Sequence, residues 1–174
     1  MAIIDVSFII PVYNRPEEIN ELLSSFNNLD GNYDFEIVII EDGSVNCSDK
    51  IISNYSNDLN ISYYTKKNTG PGDSRNFGMK MAKGNYFIIL DSDCILPNNY
   101  LLNFFTNINN KYVDCFGGVD YSHYSFTNFQ KAVNFTMTSL ITTAGVRGGR
   151  SKYKNFQARS FNILIYLHEH QLSL

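Results

Sequence analysis

An apolar run in the middle of the chain ends in two carboxylates one residue apart: "YFIILDSDCIL", Tyr86 to Leu96, carries Asp91 and Asp93. Two such acids at a strand end repel each other unless a cation or strong hydrogen-bond donors stand between them. A divalent metal resolves that conflict, and oxygen donors without His or Cys select Mg²⁺ or Mn²⁺. Two aspartates fill too few positions of an octahedron, so water and a ligand such as a diphosphate must supply the rest. Asp-x-Asp alone is a weak motif, and an isolated match is more often a strand end capped by solvated turn acids.

Two further stretches carry chemistry of a related kind. Glu41 and Asp42 close the run "FEIVII" and lead into Gly43-Ser44. A carboxylate there can accept hydrogen bonds from a nucleobase N–H or from ribose hydroxyls, and Gly43 allows a tight turn and close backbone approach. An Asp-Gly turn accounts for the same letters without a ligand. Arg75 and Asn76 follow Gly70-Pro71-Gly72. A guanidinium at such a helix start can stabilise a pyrophosphate with the help of the helix N-terminus, or serve as a surface charge.

An alternation of strand and helix must position these groups. Val6 to Val12 is β-branched and aromatic, and Pro11 removes a ladder donor near its end, so the run reads as a buried strand leading into "YNRP". Pro16 suits a first helical turn, with Glu17 and Glu18 at the positive end of the dipole and Ile19, Leu22, Leu23 and Phe26 at helical spacing. Phe35 to Ile40 predicts a second strand, followed by a helix around Asp49 to Tyr55 with Ile51, Ile52 and Tyr55 as its apolar positions. A third strand is expected from Ile61 to Thr65. Next come a turn at Gly70-Pro71-Gly72, a helix with Phe77 and Met81 on one side, and a stop at Gly84. Tyr86 to Leu90 predicts a fourth strand, and Asn98 or Asn99 can cap a helix to about Ile108 with Leu101, Leu102, Phe105 and Ile108 inward. Beyond Val113, "VDCFGGVDYSHY" offers a strand or two and Phe129 to Ile141 a helix. The fold class expected is a single α/β domain, a mostly parallel twisted sheet with helices on both faces. Ligands of open α/β sheets sit outside the carboxyl ends of the strands, so "YNR", "EDGS" and "DSD" should converge on one crevice.

In order and approximate spacing, "SFIIPVYNRPEEINELLSSF", "EIVIIEDGS" and "NTGPGDSRNFGMKMAKGNYFIILDSDCILP" resemble the family 2 glycosyltransferases of GT-A fold, closely from Val6 to Pro97. "GVRGGRSKYKNFQARSFN" is similar to a segment of some bacterial members. The resemblance implies a nucleoside-diphosphate sugar donor, foremost a UDP-sugar. It also implies inverting transfer to a hydroxyl of a saccharide or lipid-linked saccharide, in cell-surface polysaccharide synthesis. By the same resemblance Pro11, Val12, Tyr13 and Arg15 line the base and Asp42 recognises it, while Ser44 and Ser92 belong to the donor loops. Arg75 matches the arginine of the family's "ARN" segment near donor and metal, with Ser74 in the usual Ala position. Asp91 matches the first acid of the DxD motif, oriented toward ribose or metal, and Asp93 the ligand of a Mn²⁺ or Mg²⁺ ion.

The family's general base comes from an acidic motif further on, whereas here "ARSFN" runs into "ILIYLHEHQLSL". This departure implies a C-terminally truncated chain, diverging near Ile163. Residues 1–112 are then the nucleotide-sugar-binding half, and 113–174 the start of an acceptor-side region of the same domain. Asp120 is the weak candidate for a substitute base, with His123 near it; residues of this kind in a loop are more often structural. A non-catalytic nucleotide-binding remnant is the alternative function. Arg147, Arg150, Lys152, Lys154 and Arg159 form either a solvated loop or a basic cover for diphosphate or an anionic lipid-linked acceptor. His168-Glu169-His170 lacks the spacing of a zinc helix and reads as tail.

Other classes fit less well. A haloacid-dehalogenase-type phosphatase puts its Asp-x-Asp near the first strand and continues it to Thr or Val, but here three predicted strands precede the motif and Ile95 holds that position. With 174 residues, 44% of them hydrophobic, and a net charge of -3, the chain can build one core and offers no basic field for nucleic acid. Cys47, Cys94 and Cys115 are widely spaced and odd in number, which suits a reducing compartment. No apolar stretch approaches the ~20 residues of a membrane span. A cytoplasmic setting is therefore expected, with peripheral contact at the inner face of the membrane left open.

Overall fold

The computed structural model describes residues 5–110, 115–117, 135 and 163–166. The chain divides into two compact units, Met1–Phe116 with Ser160–Leu174, and Gly117–Arg159. In the second, the described residues are Gly117 and Phe135, the latter helical and exposed. Outside the described residues lie Asp120, His123, the rest of the helix expected from Phe129 to Ile141, the basic cluster Arg147 to Arg159, and His168-Glu169-His170.

The described part of the first unit alternates as expected: β1 (Val6–Val12), α1 (Pro16–Phe26), β2 (Phe35–Asp42), α2 (Asp49–Ser53), β3 (Ile61–Lys66), α3 (Pro71–Met81), β4 (Tyr86–Ile89) and α4 (Tyr100–Asn110). Two further strands, β5 (Cys115–Gly117) and β6 (Ile163–Tyr166), complete a sheet of order β3-β2-β1-β4-β6-β5. β1, β2, β3 and β4 pair in parallel, while β6 runs antiparallel to β4. This is the mostly parallel α/β sheet that the sequence predicts. The order reverses at β1, because the chain first builds outward through β2 and β3 and then returns to add β4 on the other side.

Residue alternation sends the two faces of each strand into separate cores. Val6, Phe8, Ile10 and Val12 of β1 join Ile37 and Ile39 of β2 and Ile88 of β4 under α1, α2 and α4. Ile9, Val38, Ile40, Phe87 and Ile89 face the other way, against Phe77 and Met79 of α3. All four inward positions predicted for α1, Ile19, Leu22, Leu23 and Phe26, are buried.

Helix registers depart from expectation in two places. On α3 the residue packed beside Phe77 is Met79, whereas Met81 is exposed. The face laid closest to the sheet carries Ser74 and Gly78, which are buried, so the apolar pattern of this helix is faint. The helix also begins at Pro71, taking in Gly72, and ends at Met81 rather than Gly84. On α4 the buried pair is Leu101 and Phe104, and Leu102 is 49% exposed. Its "YLLNFF" start spreads apolar residues over more than half of the helix, so periodicity does not choose a narrow face. α2 closes at Ser53, short of Tyr55.

Gly78 sets how near α3 lies to the sheet. A Cβ there would stand 2.5 Å from Ile9 Cγ2 and 2.6 Å from Ile40 Cδ1, both on fully buried side chains. Gly78→Ala gains helix propensity of up to ~1 kcal/mol. Overpacking of about 1–3 kcal/mol opposes that gain. The expected outcome is a lower melting temperature by thermal unfolding, and an equal or higher one would show that α3 has room to move away.

Candidate functional site

Two consecutive acids at the end of β2 organise the loops above the sheet. Glu41 is 1% exposed and Asp42 4%, and as strand neighbours they point to opposite faces. Glu41 Oε2 accepts from the Ser48 amide and the Tyr63 hydroxyl, each at 3.0 Å, and its Oε1 accepts from the Ser44 hydroxyl. Ser44 Oγ in turn accepts from the Asn14 amide at 2.8 Å, while Asn14 Oδ1 accepts from the amides of Val45 and Asn46. Asn14 reaches this position with φ +53°, which Asn tolerates better than most residues. The "YNRP" and "EDGS" loops are thus bound to each other, and Ser44 is a tie between them.

Asp42 works on the other face. Its Oδ1 accepts from Lys66 Nζ at 2.5 Å and from the Thr69 amide at 3.0 Å, and its Oδ2 from the Gly70 amide at 2.8 Å. Lys66 also contacts Asp73 at 3.1 Å and donates to the Thr69 hydroxyl, which donates to Asp73 at 2.5 Å. The end of β2, the β3–α3 connection and the first turn of α3 are joined through one ammonium. Gly43 must stay small for this packing: its φ is +73°, and a Cβ would stand 2.6 Å from the backbone nitrogen of Asn68.

In "DSD" each acid meets an arginine. Arg75 Nη2 contacts Asp91 Oδ1 at 2.8 Å, with Arg75 mostly buried and its Nε without a hydrogen-bond partner. Arg15 Nη1 contacts Asp93 Oδ2 at 2.9 Å, both side chains about half exposed.

A cleft of about 310 Å³ opens at the carboxyl ends of the strands, beside β1 where the strand order reverses, the place where ligands bind in such sheets. Pro11, Val12, Tyr13 and Arg15 line it from the first loop, Asp42 from the second, and Asp91, Ser92 and Asp93 from the fourth strand. Of the residues singled out in the sequence, Ser44 and Arg75 stand behind the lining, supporting it. Pro71 lines the cleft as well, and "GPG" was the available signal for it. Glu41 and Asn14 were placed in the converging loops without their roles as ties between them, and Lys66 and Thr69 carried no signal, since their importance lies in contacts that only the fold creates.

The donor set for a cation is two carboxylates on one loop; among the described residues no group of three or more His, Cys, Asp or Glu side chains is gathered. All-oxygen chemistry with open positions fits Mg²⁺ or Mn²⁺ completed by water and ligand oxygens. No helix among the described residues is long and apolar enough to cross a membrane. Cys47, Cys94 and Cys115 form no disulfide with one another.

This is the GT-A fold, and the chain belongs to the family 2 glycosyltransferases: the model described as "Glycosyl transferase family 2" matches residues 7–169. An uncharacterized glycosyltransferase of Rickettsia bellii is 41% identical over 97 residues, 55% of this chain and 14% of that protein. The crystal structure of Staphylococcus aureus TarS 1–349 in complex with UDP-GlcNAc is similar with a TM-score of 0.65 and 28% identity, covering 71% of this chain and 36% of that one. TarS is named a poly(ribitol-phosphate) beta-N-acetylglucosaminyltransferase. The mannosyltransferase PcManGT from Pyrobaculum calidifontis, in complex with GDP-Man and Mn²⁺, shares the fold at a TM-score of 0.62 and 21% identity, over 70% of this chain and 37% of its own. The chain therefore spans well under half the length of these relatives.

Burial pushes the Asp42 carboxyl up, but Lys66 and the amides of Thr69 and Gly70 outweigh it and hold the group below its ordinary value. Burial likewise pushes Lys66 down, and Asp42 with Asp73 reverses this to a net rise. A depressed acid stabilises the fold above its unfolded value of about 4, and that contribution is lost as pH falls through the folded value. A raised lysine contributes below about pH 10 and loses its contribution as pH climbs through the folded value. Asp42→Asn is expected to cost about 2 kcal/mol near neutrality. In urea unfolding the difference from wild type should be flat from about pH 5 to 9 and narrow in acid. A gap undiminished at about pH 2 would mean that charge is not its cause.

Proposed function

We propose that the cleft binds a nucleoside-diphosphate sugar, foremost a UDP-sugar, as the donor site of an inverting glycosyltransferase. The observation that carries this reading is the meeting of Arg15, Asp42, Asp91 and Asp93 around one cleft at the switch point of the sheet, in a family 2 chain. Neighbours of this fold carry UDP-GlcNAc in one case and GDP-Man with Mn²⁺ in another. By analogy with TarS, the acceptor is a hydroxyl of a saccharide or lipid-linked saccharide in polysaccharide synthesis.

In this reading Pro11, Val12 and Tyr13 form the wall for the base and Asp42 accepts a base N–H. Pro71 brings the N-terminal end of α3 to the cleft, where its dipole favours an anionic diphosphate. Arg75 holds Asp91 in position from behind. Asp93, with Asp91 beside it, would hold the Mg²⁺ or Mn²⁺ ion, whose charge stabilises a departing diphosphate. Arg15, half exposed, is free to turn from Asp93 toward that anion. The acceptor oxygen bonds to the anomeric carbon as the bond from that carbon to the diphosphate oxygen breaks, and the acceptor proton passes to a base. Asp120 is our candidate for that base, and Asp120→Asn should then lower turnover without weakening donor binding.

A thermal-shift series with UDP, with and without Mn²⁺, tests the site. A ligand at ~100 times its Kd adds about 2.7 kcal/mol to the folded state. UDP should raise the melting temperature by several degrees, more with Mn²⁺ than without. Asp93→Asn should remove the metal-dependent part and leave the ligand-free melting temperature unchanged, since Asp93 is exposed. No response to any nucleoside diphosphate would reject the donor site. Turnover of a sugar nucleotide distinguishes an enzyme from a non-catalytic remnant.

A further inference from the structure

The GT-A fold by itself does not choose a base, yet Asp42 has little choice left. A carboxylate offers about four acceptor directions, two on each oxygen. Lys66 and the Thr69 amide take both on Oδ1, and the Gly70 amide takes one on Oδ2. One remains, on a side chain that lines the cleft and is itself almost fully buried. Three donors from the one segment that joins β3 to α3, Lys66, Thr69 and Gly70, prevent the carboxylate from rotating to offer more.

We propose that Lys66 is a positioning residue that sets base specificity: by filling Asp42 Oδ1 it leaves a single acceptor, which suits the lone ring N–H of a uracil or thymine edge. This rests on the donor-site reading above. Guanine presents two adjacent donors, N1–H and N2–H₂, which a carboxylate normally receives with both oxygens. Here the second donor would be buried unpaired, and that is where discrimination arises. Cytosine turns an unprotonated ring nitrogen toward the same oxygen and is repelled. Lys66 has no contact with the cleft of its own; it acts through Asp42, with Asp73 and the Thr69 hydroxyl fixing its ammonium.

The test is titration calorimetry of the full chain with UDP, GDP and inorganic pyrophosphate, each with Mn²⁺. Wild type should favour UDP over GDP by about tenfold or more, the worth of one buried unpaired donor. Lys66→Met should bring that ratio close to one while pyrophosphate affinity stays as in wild type. Lys66→Arg, which keeps the charge, should restore part of the ratio. A loosened fold would instead weaken all three ligands together, and that result, or an unchanged ratio in Lys66→Met, overturns the assignment. GDP binding as tight as UDP in wild type overturns it too, with no variant needed and with the donor-site reading intact. Failure of both nucleotides to bind removes the donor-site reading and the assignment with it.

Discussion

The site depends on a pair of buried acids placed back to back at the end of one strand. β2 lies between β1 and β3 and is buried from Glu36 to Asp42, so Glu41 and Asp42 can be desolvated only if their oxygens find donors. The donors come from the loop that follows β2, from β3 paired beside it and from the turn into α3: Ser44, Ser48 and Tyr63 for Glu41, and Lys66, Thr69 and Gly70 for Asp42. The cost of burying two charges is offset by contacts that draw the loops in, so the cleft's shape follows from satisfying β2. Loops held in this way are preorganised, and a ligand need not supply the entropy of ordering them.

A similar arrangement stands at the opposite end of the same strand. Glu36, 1% exposed, accepts from the Ser7 hydroxyl at 2.6 Å and from the Lys83 amide, while Ser7 Oγ accepts from the Gly84 amide at 2.8 Å. Here the acid fastens the turn between α3 and β4. α3 is therefore held at both ends by carboxylates of β2 and in the middle by Gly78 against Ile9 and Ile40. Arg75 projects from this fixed helix, which explains how it can hold Asp91 from behind the cleft wall.

How much of this was legible follows from range. Strands announce themselves by local runs such as "FIIPV" and "FEIVII", and α1 by Pro16, its two glutamates and four apolar positions, so the alternation and the parallel sheet could be read directly. The loops that meet at the cleft could be placed because strand ends in a parallel sheet share one side. What escaped was set by neighbours distant in sequence. The inward face of α3 is written in small residues because the sheet is close, and "YLLNFF" leaves the choice of face to packing under α1. Lys66 looked like one of two consecutive lysines. Only the fold singles it out, by bringing Asp42 and Asp73 to its ammonium.

The two ion pairs of the "DSD" loop differ in a way that assigns different work to acids one residue apart. Arg75–Asp91 is partly sheltered, with the arginine 14% exposed, so separating it would leave a guanidinium short of partners in a poorly solvated place. Arg15–Asp93, at 49% and 55% exposure, is worth no more than ~1 kcal/mol after solvent screening. A cation and a diphosphate could exchange with it at little cost, the cation taking Asp93 and the anion taking Arg15. The loop thus contains one acid that is held and one that is available, and the asymmetry comes from burial, since the two residues are chemically the same. If the exposed pair were instead the buried one, the cleft would be locked shut by its own charges.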